Sequence, residues 1–197
     1  MKTVSHVICE DPRVAHKLYT LLEIEMKPSF VSIIKNHQLN DKVFRLLDST
    51  QEDILVVTDA GTPGLSDPGR EIIQYLQENG YEYSVLPGAN ALVPAVVASG
   101  LVPKEFLFKG FLPIKKGRKA QLTSISESKV PVVLYESVHR IEKLLVELQG
   151  YLNPESAIFI HREISKQYET MWSGTISDLS NIELKKKGEF VVVVKPA

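Results

Sequence analysis

Residues 54–69, ILVVTDAGTPGLSDPG, are the stretch that decides the fold. They open with a short run of apolar, mostly β-branched residues, which is typical of a strand buried on both faces of a parallel sheet. A loop with three glycines and two prolines follows, and residues 70–77 then carry apolar side chains at helical spacing. An ordinary strand–helix turn is the alternative, but such turns need only a few residues. Because open α/β sheets bind ligands at the carboxyl ends of their strands, the stretch predicts a binding loop.

The side chains of this loop limit the kind of ligand. A phosphate cradle uses free backbone N–H groups and a lysine, whereas here prolines remove donors and Asp59 and Asp67 would repel phosphate. The GxGxxG pattern of dinucleotide sites is also absent from the sequence. The loop therefore favours a neutral or cationic ligand that carries hydroxyl groups, although spacing alone does not name it.

Composition excludes several classes of protein. The 197 residues are 44% hydrophobic and carry a formal net charge of -1, so a generally basic nucleic-acid binder is excluded and RNA contact requires a local patch. The single cysteine excludes a disulfide framework, and we expect no metal site. No apolar run reaches membrane-spanning length and no signal-like segment follows Met1, so we expect a soluble, cytoplasmic protein.

The segments in front of the binding loop predict two further strand–helix pairs. Strands are expected at residues 6–9 and 30–34, each followed by a helix, and Asp11 and Pro12 fit the start of the first helix. This β-α-β-α-β order predicts a parallel sheet with right-handed crossovers. Residues 81–86 are expected to add another strand.

Strand signals resume after Gly100 and Pro103. Strands are expected at residues 106–112, 132–135 and 157–161, and residues 169–172, 174–175 and 189–195 are expected as strands of a more antiparallel second sheet. The prediction is therefore an α/β protein with a parallel N-terminal sheet, a mixed C-terminal sheet and helices on both faces. Its two domains are expected at residues 1–101 and 102–197.

Five phrases of the sequence resemble one family. They are TDAGTPGLSDPGREI, VLPGANALVPAVVASGL, FLFKGFLP, VLYESVHRIEKLL, and HREISKQYETMWSGT followed by GEFVVVV. In this order, over residues 58–194, they closely resemble the bacterial 16S ribosomal RNA (cytidine) 2′-O-methyltransferases, in the tetrapyrrole-methylase fold group. Upstream, CEDPR at residues 9–13 and HQLN at residues 37–40 are similar to the AEDTR and HEHN motifs of that family.

The resemblance implies two α/β halves that hold S-adenosylmethionine in the cleft between them, usually in a homodimer. It implies transfer of a methyl group to the ribose 2′-hydroxyl of a cytidine in small-subunit ribosomal RNA, with no role for DNA or a membrane. Carried over residue by residue, the positions that line the cofactor are Asp59, Gly61, Thr62, Pro63, Leu65, Asn90, Ala91 and Tyr135.

The chain departs from the family pattern at its start. The first strand of the family and its GTPIGN-like loop have no counterpart, and the chain begins at what resembles the second strand. Pro12 replaces the threonine of AEDTR, and Leu39 replaces the second histidine of HEHN. Because an open sheet edge tends to recruit another strand, we expect a second chain to cover an edge at residues 6–9, most simply in a homodimer.

A ribose hydroxyl loses its proton as it attacks, so a general base is expected. His37 is the first candidate, because it follows a strand and imidazole titrates near neutral pH. Glu10 and Glu136 are alternatives, since both follow predicted strands. Simpler roles stay open: His37 as a loop histidine bonded to the backbone, and Glu10 as part of a helix cap.

A basic run follows the aromatic strand FLFKGF. Its charged members are Lys115, Lys116, Arg118 and Lys119. A solvated loop is the usual role of such a run, but in a net-acidic chain it favours contact with the RNA backbone. Two other functions stay open: a small-molecule methylase of the same fold group, and a non-catalytic module that binds S-adenosylmethionine or RNA.

Overall fold

The computed structural model describes residues 1–35, 38–185 and 187–197, which fold into two compact units, Met1–Asn90 and Ala91–Ala197. The elements of the first unit are β1 (His6–Cys9), α1 (Pro12–Leu21), β2 (Ser29–Ser32), β3 (Ile34–Lys35), β4 (Gln38–Leu39), α2 (Asp41–Ser49), β5 (Ile54–Val57) and α3 (Arg70–Glu78). Its main sheet is parallel, in the strand order β2-β1-β5, and β3 and β4 form a separate antiparallel pair. The predicted parallel N-terminal sheet is confirmed.

Alternation along β1 explains why helices cover both faces of this sheet. Val7 and Cys9 pack with residues of α1 on one face, and Ile8 packs with residues of α2 and α3 on the other. Burial of such side chains stabilises the fold by about 1.5–3 kcal/mol each. Asp11 caps α1 by accepting a hydrogen bond from the backbone N–H of Arg13, as the sequence predicts.

Two strand predictions in the first unit are wrong. β1 is not an edge, because it pairs with β2 on one side and β5 on the other, and its Val7 and Ile8 are fully buried. The outer strands are β2 and β5 instead. Residues 81–86 form no strand, and Val85 and Leu86 are 63% and 73% exposed, so their apolar side chains gain little burial that would hold the segment in a sheet.

The second unit contains a mixed five-stranded sheet in the order β6-β7-β10-β8-β9. Its elements are α4 (Leu92–Ser99), β6 (Leu107–Phe111), α5 (Arg118–Ser126), β7 (Val132–Ser137), α6 (Ile141–Tyr151), β8 (Ala157–Arg162), β9 (Thr170–Thr175), a 3₁₀ helix (Ser177–Asn181) and β10 (Glu189–Lys195). Only the β6–β7 pair is parallel among the pairings of this sheet in the described part of the chain. The predicted mixed C-terminal sheet is confirmed.

Strand β10 runs through the centre of this sheet and contacts helices on both faces. Val192 and Val194 pack with α5 and α6, whereas Val191 and Val193 pack with Leu92 and Ala95 of α4. Helix α4 thus packs within the second unit, and the compact units divide after Asn90. The sequence places the domain boundary later, after residue 101, and that assignment stays a prediction.

No helix within the described ranges is long and apolar enough to cross a membrane.

Candidate functional site

Three carboxylates meet where β1 and β5 end. Cys9 and Val57 are register partners, so the residues that follow them lie side by side at the carboxyl edge of the sheet. Glu10 Oε2 accepts a hydrogen bond from the backbone N–H of Asp59 at 3.3 Å. Asp59 Oδ1 in turn accepts one from the backbone N–H of Asp11 at 3.4 Å. We call Glu10, Asp11 and Asp59 the acidic edge.

The acidic edge carries negative charge, and Arg13 compensates the charge of Asp11 most directly. Hydrogen bonds from the side chain and backbone of Arg13 lower the pKa of Asp11 to about 2, and the Arg13 Nη2–Asp11 Oδ2 distance is 2.6 Å. Burial, followed by the charges of Asp59 and Asp11, raises the pKa of the Cys9 thiol to about 11. Cys9 therefore stays a neutral thiol at neutral pH and is a poor nucleophile.

The predicted binding loop, residues 58–69, turns tightly at its glycines. Gly61 has a φ of 76° and Gly69 a φ of 133°, which side-chain-bearing residues rarely adopt. A Cβ on Gly69 would lie 3.4 Å from the backbone nitrogen of Gly64, so the end of the loop is in close contact with its middle. Beside Gly61, an added Cβ would meet only Asp67 Oδ2, at 3.6 Å, within the described residues.

The side chains predicted to line the cofactor are accessible along this loop. Asp59 and Gly61 are exposed, Thr62 and Pro63 are half-buried, and Leu65 is 40% exposed. The carbonyl oxygen of Thr62 accepts a hydrogen bond from the N–H of Leu65 at 3.3 Å, which closes a turn. The loop holds no lysine or arginine before Arg70. This chemistry fits a cationic ligand with hydroxyl groups better than a phosphate.

The other predicted cofactor positions lie in and after the PGANA turn and on β7. Asn90 is half-buried, Ala91 precedes α4 as its N-cap, and Tyr135 is half-buried on β7. Ala95 is fully buried against Val133 and its neighbours, so this small residue serves helix–sheet packing. The cofactor contacts assigned to Asn90, Ala91 and Tyr135 stay predictions.

The candidate bases differ in accessibility. The side chain of Glu136 is 0% exposed, and its Oε1 accepts the N–H of Ser137 and lies 2.8 Å from Arg140 Nε. Its Oε2 is buried without a hydrogen-bond partner in the described part of the molecule. This geometry favours a role in holding Arg140, whereas Glu10 is only half-buried. His37 lies outside the described residues.

The basic run divides into two kinds of residue. Lys115, Lys116 and Lys119 are exposed, and we call them the lysine cluster. Arg118 is only 5% exposed: its guanidinium lies 2.6 Å from Glu147 Oε2, and its Nη1 donates to the carbonyl oxygen of Pro113. Arg118 therefore fastens α5 to α6 and does not present its charge to a ligand.

Sequence reasoning missed the roles of two buried polar residues on β8. His161 is 2% exposed and its Nε2 lies 2.5 Å from Glu169 Oε1, while Arg162 donates to Thr170 Oγ1 and to the carbonyl oxygens of Tyr168 and Lys187. The interaction with His161 lowers the pKa of Glu169. These bonds hold the connection between β8 and β9, and only the strand pairing, which the sequence does not specify, brings the partners together.

Solved structures share this fold. The methyltransferase CobJ superposes with a TM-score of 0.64 at 15% identity and covers 98% of this chain and 95% of its own. Uroporphyrin-III C-methyl transferase from Thermus thermophilus, solved with S-adenyl homocysteine, has a TM-score of 0.61 at 16% identity over 98% of this chain and 86% of its own. At these identities the likeness establishes the fold alone.

Closer relatives include three proteins named ribosomal RNA small subunit methyltransferase I. Identity is 34% to the Synechocystis protein, 36% to that of Haemophilus influenzae and 35% to that of Bacillus subtilis. The alignments cover 100%, 98% and 99% of this chain and 71%, 69% and 67% of those relatives.

The family-level comparison agrees with both results. Residues 1–180 match the sequence model of the tetrapyrrole (corrin/porphyrin) methylases. The prediction of S-adenosylmethionine as cofactor is thereby confirmed at the level of the family. The chain belongs to the tetrapyrrole (corrin/porphyrin) methylases, within the family of ribosomal RNA small subunit methyltransferase I.

Proposed function

We propose that this chain is an S-adenosylmethionine-dependent methyltransferase that modifies the ribose 2′-hydroxyl of a cytidine in 16S ribosomal RNA. The observation that carries the proposal is the alignment of nearly the whole chain, at 34–36% identity, with three proteins named for methylation of small-subunit ribosomal RNA. The resemblance of the five sequence phrases to cytidine 2′-O-methyltransferases supports the finer assignment of the target atom.

The acidic edge and the loop at residues 58–69 supply the cofactor site in this proposal. S-adenosylmethionine, when bound, supplies an electrophilic methyl group on a positively charged sulfonium. The exposed carboxylate of Asp59 suits the amino group or ribose hydroxyls of such a ligand. Beside Gly61, only the carboxylate of Asp67 lies within 4 Å of an added Cβ among the described residues, so a ligand can approach the backbone there.

Methyl transfer is an in-line displacement, so the chain must align the 2′-oxygen with the bond that breaks and exclude water. Orientation of this kind supplies roughly 7–11 kcal/mol in favourable cases. Glu10 is the base candidate that the geometry favours over Glu136, because its carboxylate is only half-buried at the edge that carries Asp59. His37 stays a candidate by its resemblance to the HEHN motif.

The lysine cluster supplies contacts to the RNA backbone in this proposal. Its side chains are exposed and its members lie within five positions of the sequence, at the start of α5. Each phosphate that such a cation neutralises releases counterions, so binding becomes dependent on salt. A homodimer, a cytoplasmic location and a domain boundary after residue 101 belong to the same proposal, and light scattering tests the dimer.

A methyl-transfer assay on small ribosomal subunits tests the function directly. Purified protein is incubated with tritiated S-adenosylmethionine and subunits that lack the modification, and the RNA is digested to nucleosides for mass spectrometry. We expect label in a cytidine whose added methyl group stays with the ribose. A tetrapyrrole, uroporphyrinogen III, serves as the parallel substrate, since the solved structures of the same fold include one named uroporphyrin-III C-methyl transferase.

Each outcome discriminates between functions. Label in the base instead of the ribose would contradict the 2′-hydroxyl target, and label in the tetrapyrrole alone would favour a small-molecule methylase. Calorimetry with S-adenosylmethionine is the companion measurement: binding without transfer to either substrate would indicate a non-catalytic module.

A further inference from the structure

An exposed aromatic ring precedes the lysine cluster. Phe111 ends β6 and is 49% exposed, and Ile114, just after it, is 66% exposed. We propose that Phe111 and Arg140 form a platform on which an unpaired base of the substrate RNA stacks. The inference rests on the proposed function, because the platform would bind one part of the RNA substrate named there.

A bulge in β6 sets the orientation of the ring. Phe108 is the register partner of Val133 and Phe111 that of Tyr135, so one extra residue stands between them, next to Gly110 with its φ of 58°. In a regular strand, residues three apart point to opposite faces. Because of the bulge, both rings contact Tyr135, with centroids 5.0 Å and 5.7 Å away.

Arg140 is fixed beside the same ring. Its Cζ lies 5.8 Å from the centroid of Phe111, within the range of a cation–π contact. Two acceptors hold the guanidinium: Glu136 Oε1, 2.8 Å from Nε, and the carbonyl oxygen of Leu112, 3.2 Å from Nη1. Glu136 is fully buried, so a desolvated carboxylate positions this cation, and desolvating a carboxylate costs free energy.

The chemistry of the platform suits a nucleobase. A single exposed apolar residue is ordinary on protein surfaces. The ring of Phe111, however, packs against Tyr135 and lies beside the fixed guanidinium of Arg140. Unpaired RNA bases stack on aromatic rings and on guanidinium planes without regard to sequence. The lysine cluster begins four residues after Phe111 in the sequence. In the proposal, these cations contact the phosphates on either side of a stacked base.

Fluorescence anisotropy with two RNA hairpins tests the platform. The hairpins share a labelled stem and differ at one loop nucleotide, which is a cytidine in one and an abasic residue in the other. For Phe111→Ala we expect affinity for the cytidine hairpin to fall between about five-fold and a hundred-fold, while affinity for the abasic hairpin stays the same. Phe111→Trp should bind like the wild type, and the loop base should quench its indole fluorescence.

Leu107→Ala is the matched control, because Leu107 is 40% exposed on the same strand. Phe111→Ala and Leu107→Ala should both bind S-adenosylmethionine as the wild type does. Equally weakened binding of both hairpins, or unchanged binding by Phe111→Ala, would overturn the platform while the proposed function stands. If the wild-type protein binds neither hairpin and methylates no ribosomal RNA, the proposed function fails. A change in oligomeric state on Phe111→Ala, with RNA affinity unchanged, would overturn the platform and assign Phe111 to a protein contact.

Discussion

The ends of the strands in the two units carry opposite chemistry. In the first unit, Glu10, Asp11 and Asp59 gather at the carboxyl edge of a parallel sheet, next to a loop without cations. In the second unit, Phe111 ends β6 beside Arg140, the N-cap of α6 that follows β7, and the lysine cluster lies just after Phe111 in the sequence. The first set suits a small cationic ligand and the second suits a polyanion with aromatic bases.

Under the proposed function, this difference explains how a chain of nearly zero net charge would bind an RNA substrate. The formal net charge of -1 averages over two surfaces that are individually charged. A cofactor with a sulfonium and a polyanionic substrate require opposite fields, so segregating the charges lets each surface favour its own ligand. Variants on one surface should therefore leave the ligand of the other unaffected.

The largest expected effect is on the acidic side, at Gly61→Val. A φ of 76° strains any β-branched residue, and the side chain would occupy the space beside the loop backbone. We expect affinity for S-adenosylmethionine, measured by calorimetry, to fall by at least about a hundred-fold, or roughly 2.7 kcal/mol.

Gly80→Val is the matched control for this weakening. Gly80 has a similar φ of 71° at the end of α3, with nothing within 4 Å of an added Cβ among the described residues. The two variants should show similar drops in melting temperature, and Gly80→Val should retain wild-type affinity. Equal affinity in both variants would show that the loop is not the cofactor site.

Arg118→Ala should sharpen the distinction between structural and ligand-facing cations. It leaves Glu147, which is 22% exposed, without its closest ion-pair partner, and Lys143 stays 4.0 Å away. We expect the free energy of unfolding, from urea titration, to fall by about 2 kcal/mol, less than for a fully buried pair. The salt dependence of RNA binding should not change. If the salt dependence of RNA binding becomes shallower while the free energy of unfolding stays the same, Arg118 contacts RNA instead.

Replacing Lys115, Lys116 and Lys119 together by serine tests the basic side. RNA binding should weaken, and the slope of log affinity against log salt should decrease by roughly 0.7–0.9 for each phosphate that the protein no longer neutralises. The control replaces Lys17, Lys27 and Lys42, three exposed lysines of the first unit, so that net charge changes equally. If both triple variants behave alike, net charge and not the lysine cluster governs binding.

Periodicity and turn chemistry predicted much of the fold. The apolar runs at residues 6–9 and 54–57 became β1 and β5, and Asp11 and Pro12 began α1 as expected. The strand predicted at residues 81–86 failed because alternation of apolar residues does not ensure a neighbouring strand. The edge prediction failed for the same reason: local sequence does not specify which strands flank β1.

The candidate site was predicted less completely, because its contacts join distant residues. The glycines and prolines of residues 58–69 predicted the loop from the sequence. The burial of Arg118 depends on Glu147, far along the chain on α6, and no charge pattern in the basic run reveals it. The aromatic platform depends on a one-residue bulge, and a regular alternation would have placed Phe111 on the other face.

The smallest expected effect is the acid response of Asp11. Hydrogen bonds from Arg13 lower its pKa to about 2, below the value of about 3.9 for an unfolded chain. A carboxylate whose pKa is lower in the folded state adds stability above the unfolded pKa, and this stability is lost as pH falls from about 4 to about 2. Asp11→Asn keeps a side chain that can cap α1 but cannot titrate. We therefore expect the variant to melt slightly below the wild type at neutral pH, with a difference that shrinks between pH 4 and pH 2. Calorimetric melting temperatures across this range are the measurement, and Asp41→Asn, at the first position of α2, is the control. If the two melting temperatures differ by the same amount at all pH values, Asp11 acts through capping alone. The charge of Asp11 would then add nothing to the stability of the acidic edge.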